Sequence, residues 1–103
     1  MSEIFNKLTP DQSERLAMLA EEAGEIVQAV TKILRHGYAS QHPAFLDTDK
    51  SNRKDLEREI GDLWGIVVQM SNRGDISTSR IREFADEKWL NALKYTHHQD
   101  FTP

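Results

Sequence analysis

TPDQSERLAMLAEEAGEIVQAVTKILRHG, residues 9–37, carries the signals of one long helix from start to stop. Thr9 offers a hydroxyl as N-cap, and Pro10 stands at the first helical position, where its missing N–H costs nothing. Gln12 can reach back to close a capping box. Leu16, Leu19, Ala20, Ala23, Ile26, Val27, Val30, Ile33 and Leu34 then recur at three- and four-residue spacing, which makes one broad apolar stripe. Lys32, Arg35 and His36 sit near the end, where cations suit the helix dipole, and Gly37 is a natural C-terminal cap. At 1.5 Å per residue such a helix is roughly 40 Å long. A helix of that length spans an oligomeric bundle or kinks, and Gly24 is the position for a kink.

The segments that follow repeat the pattern on a shorter scale. Residues 38–50, with Pro43 and no helical period, form a connection. Asp49 or Ser51 caps a second helix that runs to about Arg73 and stops at Gly74. Its apolar positions are Leu56, Ile60, Leu63, Trp64, Val67, Val68 and Met70. Ser77 caps a third helix, ending near Tyr95, with Ile81, Phe84, Ala85, Trp89, Ala92 and Leu93 turned inward. The tail THHQDFTP is frayed or docked. Strand alternation, repeats and low-complexity runs are absent. The expectation is an all-α single domain over residues 1–103, a bundle of three main helices whose core is completed by oligomerisation, as suits a chain this short.

Composition removes several classes of function. The 103 residues include no cysteine, which excludes disulfides, thiolate nucleophiles and Cys-ligated metal sites. The start, MSEIFNKLTP, lacks the basic-then-apolar layout of a signal peptide, and no apolar run is long enough to span a membrane. A cytoplasmic protein is expected, without membrane partners. The net charge of −4 disfavours nucleic acid, which asks for a phosphate-neutralising basic face. It leaves room for a small phosphate ligand bridged through a cation.

The first helix carries Glu22 and Glu25 and the second Glu59 and Asp62, each pair three residues apart on one helical face. Both pairs border the apolar stripes instead of opposing them. Antiparallel packing through those stripes brings four carboxylates to one spot, where they repel and raise one another's pKa. A multivalent cation makes that arrangement favourable. All-oxygen ligation selects a hard ion, Mg²⁺ or else Mn²⁺. Gly24 and Gly61, lying within the two pairs, leave space beside it. The plainer account is a pair of solvated acidic faces, common on exposed helices.

At these residues the sequence resembles the MazG-like branch of the all-α NTP pyrophosphohydrolase superfamily. The shared elements are E-x-x-E within EEAGEIVQA, E-x-x-D within LEREIGDLW, and a K-x-x-N-x-x-K/R-Y ending matched by Lys88, Asn91, Lys94 and Tyr95. The likeness covers roughly residues 15–95, in order. It implies Mg²⁺-dependent hydrolysis of a nucleoside triphosphate, a dNTP or a non-standard NTP, between the α and β phosphates, giving a monophosphate and pyrophosphate. Glu22, Glu25, Glu59 and Asp62 are then catalytic metal ligands, and one of them or Glu21 handles the attacking water. Lys88 and Lys94 neutralise charge on the leaving group, while Asn91 and Tyr95 hydrogen-bond phosphate or a ligand carboxylate. Lys88, Asn91 and Lys94 share a face away from Trp89 and Leu93, so two surface lysines and a tolerated polar residue fit the helical geometry equally well. The resemblance further implies a homodimer or homotetramer with sites built from both subunits.

Other residues carry less. His36, His42, His97 and His98 lack ligand spacing with an acid and belong to surface or loop. Trp64 and Trp89 lie on core stripes. Phe5, Tyr38, His42 and Phe45 either stack on a base or, more simply, cover the bundle ends. Lys50, Arg53 and Lys54 make the connection basic and able to approach a triphosphate. The competing functions are a helical dUTPase, a phosphoribosyl-ATP pyrophosphatase, and a non-enzymatic helical module that binds a partner through its apolar stripes.

Overall fold

Three helices in chain order, α1 (Pro10–His36), α2 (Asn52–Asn72) and α3 (Thr78–Ala92), make up the computed structural model, which describes residues 6–41 and 50–99. The described residues hold no strand, and the fold is all-α. Phe5, His42, Pro43, Phe45 and Asp49 lie outside them, as does the end of the tail.

Each helix begins where its cap was expected. The Thr9 hydroxyl accepts the Gln12 N–H at 3.3 Å, and the Gln12 side-chain oxygen accepts the Thr9 N–H at 2.9 Å, a complete capping box. Ser51 accepts from the Lys54 N–H and Ser77 from the Arg80 N–H, both at 3.3 Å. α1 runs without interruption through Gly24 and ends at Gly37. Gly37 and Gly74 have φ of 87° and 85°, the left-handed region open to glycine, and there α1 and the turn after α2 change direction. α3 stops at Ala92, short of the expected Tyr95. The reason lies in the backbone: the Lys94 and Tyr95 N–H groups donate to Asn91 and Ala92, three residues back, so the last turn tightens. Lys94 consequently leaves the helical register that would have aligned it with Lys88 and Asn91.

α1 and α2 run antiparallel, pinned at both ends. At one end the Asn52 and Arg53 N–H groups donate to the Ser40 and Tyr38 carbonyls, each at 2.9 Å. The buried Asn52 amide adds a bond to the Gly37 carbonyl at 3.1 Å, and the Arg53 guanidinium lies 5.1 Å from the Tyr38 ring centre. At the other end Arg15 grips Asp75 with two parallel bonds, Nε to Oδ2 at 2.7 Å and Nη2 to Oδ1 at 3.1 Å. The guanidinium holds the Asp75 carboxyl below the usual carboxylate range. Asp75→Ala takes both parallel bonds from Arg15 and leaves it paired with Asp11 at 2.9 Å, and the variant is expected to melt several degrees below the wild type. Thermal melts monitored by circular dichroism check this; coincident curves would remove the clasp from the account.

Burial is thin. Among the described residues only Val67, Met70 and Asn52 are buried. Leu19, Ile26, Ile33, Leu56, Leu63 and Ile66 are half-covered between α1 and α2. α3 packs on α2 and not on α1, so of its expected inward residues Ile81, Ala92 and Leu93 gain partial cover while Phe84 and Ala85 stay exposed. Trp64 and Trp89, expected in a core, are 48% and 49% exposed. The cause is topological: a third helix that touches one neighbour leaves two apolar stripes without a covering element. The radius of gyration is 17.7 Å, against about 13 Å for a compact chain of this length. No helix among the described residues is long and apolar enough to cross a membrane.

Candidate metal centre

Halfway along α1, Glu22 and Glu25 stand one turn apart on the face that meets α2, and Glu59 meets them from the opposing helix. One carboxylate oxygen from each of the three lies within 4.8 Å of the others, and all three residues are half-buried. Asp62, the expected fourth acid, is exposed and outside this triad, though near enough for its charge to act on Glu22.

The electrostatics are unfavourable for the chain alone. Withdrawal from water, then the charge of Glu25, raises the Glu22 pKa. Glu59 is pushed up to about 7, first by a hydrogen bond shared with the Glu25 carboxyl, then by loss of water and by Glu25's charge. Glu22 Oε2 and Glu59 Oε2 are moreover buried without any hydrogen-bond partner. A carboxylate oxygen removed from water and left unpaired is costly. Two of them, on facing helices and beside a third acid, fit a hard divalent ion. Carboxylate oxygens are the donors that Mg²⁺ and Mn²⁺ prefer. Gly24 and Gly61 are both exposed, and a Cβ added at either would meet no atom beyond its own helix within 4 Å.

From the triad an open cleft of about 670 Å³ extends between the C-terminal half of α1 and the start of α2. Glu25 and Glu59 line one part of it, and Lys32, Arg35, Asn52 and Asp55 another. Sequence reasoning assigned Lys32 and Arg35 to the helix dipole and missed this placement. The signal was available, since Lys32 follows Glu25 by seven residues, two turns along the same face.

The chain does not bring the third expected element to this place. Lys88 and Asn91 are exposed on α3, which has no packing against α1. Lys94 and Tyr95 lie past the end of that helix, Tyr95 at 81% exposure. Glu21, beside the triad in sequence, is exposed.

Comparison with known proteins bears on the family of the chain. The chain is 37% identical over 67 residues to the Gene 37 protein of Mycobacterium phage L5, an alignment taking in 63% of this chain and 51% of that one. The chain thus spans about half the length of this curated relative. No solved structure matches it. Residues 11–88, which contain all three acids of the triad together with Asp62 and Lys88, match the MazG nucleotide pyrophosphohydrolase domain. With that match over most of its length, the chain belongs to the MazG nucleotide pyrophosphohydrolase family.

Proposed function

We propose that the protein hydrolyses nucleoside triphosphates, dNTPs or non-standard NTPs, at the α–β phosphoanhydride, in a reaction dependent on Mg²⁺ or Mn²⁺. Water adds across that bond, and a nucleoside monophosphate and pyrophosphate leave. The observation that carries this reading is the pair of buried, unpartnered oxygens of Glu22 and Glu59 beside Glu25, in a chain of this family.

In this reading Glu22, Glu25 and Glu59 hold the ion, and Asp62 completes the set from the rim. What a divalent cation supplies when bound is charge neutralisation of the phosphates, polarisation at phosphorus and a more acidic water. The proton released from the attacking water passes to one of the four acids or to Glu21. The helices α1 and α2, pinned at both ends, keep the acids from spreading apart under their own repulsion. Lys88, Asn91, Lys94 and Tyr95 belong to substrate binding here only if α3 reaches a site other than its own chain's triad.

That requirement and the uncovered apolar faces support a homodimer or homotetramer. Val27, Leu34, Phe84 and Trp89 are 49–79% exposed on one chain, and a second copy would cover them. A cytoplasmic setting suits a cysteine-free chain.

The test is a product assay across common and damaged NTPs and dNTPs, with and without Mg²⁺. Pyrophosphate is expected from at least one of them, only with the metal, from protein that sediments as a dimer or tetramer. Orthophosphate as first product would place the cut at the γ phosphate and defeat the proposal. A stable monomer at micromolar concentration would remove the shared site.

A further inference from the structure

We infer that Lys32 and Arg35 form a pyrophosphate-binding subsite, taking the β and γ phosphates of the substrate while its α phosphate lies at the carboxylates. The inference rests on the activity proposed above and adds a direction to it: the phosphate tail points toward the α1–α2 connection, and the nucleoside points away.

The first support is continuity of space. Beyond the cleft that holds Glu25 and Glu59 lies a second, of about 460 Å³, reaching Ser40 and Lys50. Lys32, Arg35, Asn52 and Asp55 line both, so the two cations stand where the spaces join. The second support is register. Glu25, Lys32 and Arg35 descend one side of α1, the lysine about two turns from the glutamate and the arginine about one more. Side chains on a helix lean toward its N-terminus, which here is toward the triad.

The third support is what these cations do not do. Among the described residues neither Lys32 nor Arg35 pairs with an acid. Asp55 faces the same space, yet its Oδ1 already accepts Arg58 at 3.1 Å. Nor can the backbone at the start of α2 take over the role. Its first N–H groups are spent on Ser40, Tyr38 and Ser51, so donors for an anion in this cleft have to be side chains. A helix dipole is satisfied by a cation anywhere near the last turn and does not ask for two of them in a cleft shared with carboxylates. Charge then sets the orientation. Cleavage yields one fragment whose far end is an uncharged nucleoside and another that is phosphate throughout, and the basic end of the cleft favours the second.

Calorimetric titration of inorganic pyrophosphate in the presence of Mg²⁺ tests this with Lys32→Ala, Arg35→Gln and the double variant. Each single change is expected to weaken pyrophosphate about tenfold or more, the effect of losing one charged hydrogen-bond donor. Mg²⁺ affinity and binding of a nucleoside monophosphate should be retained, and Arg35→Lys should recover part of the loss. Both residues are exposed, and melting curves establish that the variants are folded. Wild-type affinity in the double variant, or no pyrophosphate binding by the wild type, overturns the subsite. If the wild type releases pyrophosphate from a triphosphate but the variants bind pyrophosphate normally, the subsite falls and the activity stands. If binding depends on both residues and no triphosphate is cleaved, the subsite stands and the activity falls.

Discussion

Glu59→Gln is expected to lose turnover by on the order of 10²–10³-fold, the scale on which single preorganised groups act on a transition state, while its metal-free form melts higher than the wild type. The two halves of this result come from one cause. Without an ion, Glu59 crowds Glu25 and Glu22, and its own pKa is driven up to about 7. The amide removes a negative charge from that crowd and brings donors for neighbouring carboxylate oxygens, so the apo protein gains. With an ion, the same change deletes an anionic ligand and weakens the positioning of the phosphate. Asp62→Asn should show the kinetic loss with a smaller gain in stability, because Asp62 stands at the rim and not in the triad. An exposed acid without function moves stability by no more than about 0.5 kcal/mol and leaves turnover alone. Near wild-type activity of Glu59→Gln at limiting Mg²⁺, with unchanged apo stability, would leave these acids as solvated side chains without a part in the reaction.

A second large effect is expected from pH and metal together. Glu59 and Glu22 have raised pKa values in the fold, so the stability they allow is fully present below their unfolded value of 4.5 and is lost as pH rises above it, for Glu59 through about 7. Asp75 and Asp11 have lowered ones, Asp11 near about 2, and their contribution is present above 3.8 and lost as pH falls. The metal-free protein is therefore expected to be most stable at about pH 4–5 and to weaken steadily toward neutrality. Saturating Mg²⁺ should reverse that loss, because binding to the folded state alone contributes about 2.7 kcal/mol at a hundredfold excess over its dissociation constant. Melts across pH 3–9, with and without Mg²⁺, read both limbs. Curves at neutral pH that ignore Mg²⁺ would favour a partner-binding helical module over an enzyme.

Local chemistry made the helix starts legible. Thr9, Ser51 and Ser77 each supply a side-chain oxygen to an N–H that the helix leaves unpaired, and such a signal depends on a few neighbouring residues only. The end of α3 was not legible, because the tightening at Lys94 and Tyr95 is a choice between two backbone bonds that their side chains do not announce. Glu22, Glu25 and Glu59 could be found from their position at the edges of stripes. The rotation of α2 that leaves Asp62 at the rim is set by packing against α1, which spacing does not encode. A stripe also says that a face is apolar without saying what lies over it. Trp64 and Trp89 were placed in a core for that reason, and one chain leaves both half-exposed. Lys32 and Arg35 had two roles compatible with their positions, and only the shared cleft separates them.

The pins at the open end of the α1–α2 pair have a consequence for how such a chain can change over generations. Gly37, Tyr38 and Ser40 are fastened directly to Asn52 and Arg53, so the ends of the connection meet each other before its middle is considered. Closing a longer segment between fixed ends costs little, about 0.6 kcal/mol for each doubling of its length. Insertions and deletions between those anchors leave the helical register, and with it the spacing of acids and cations along the cleft, where it was. Variation can gather in this segment while the acids, about three helical turns back along α1, are inherited intact.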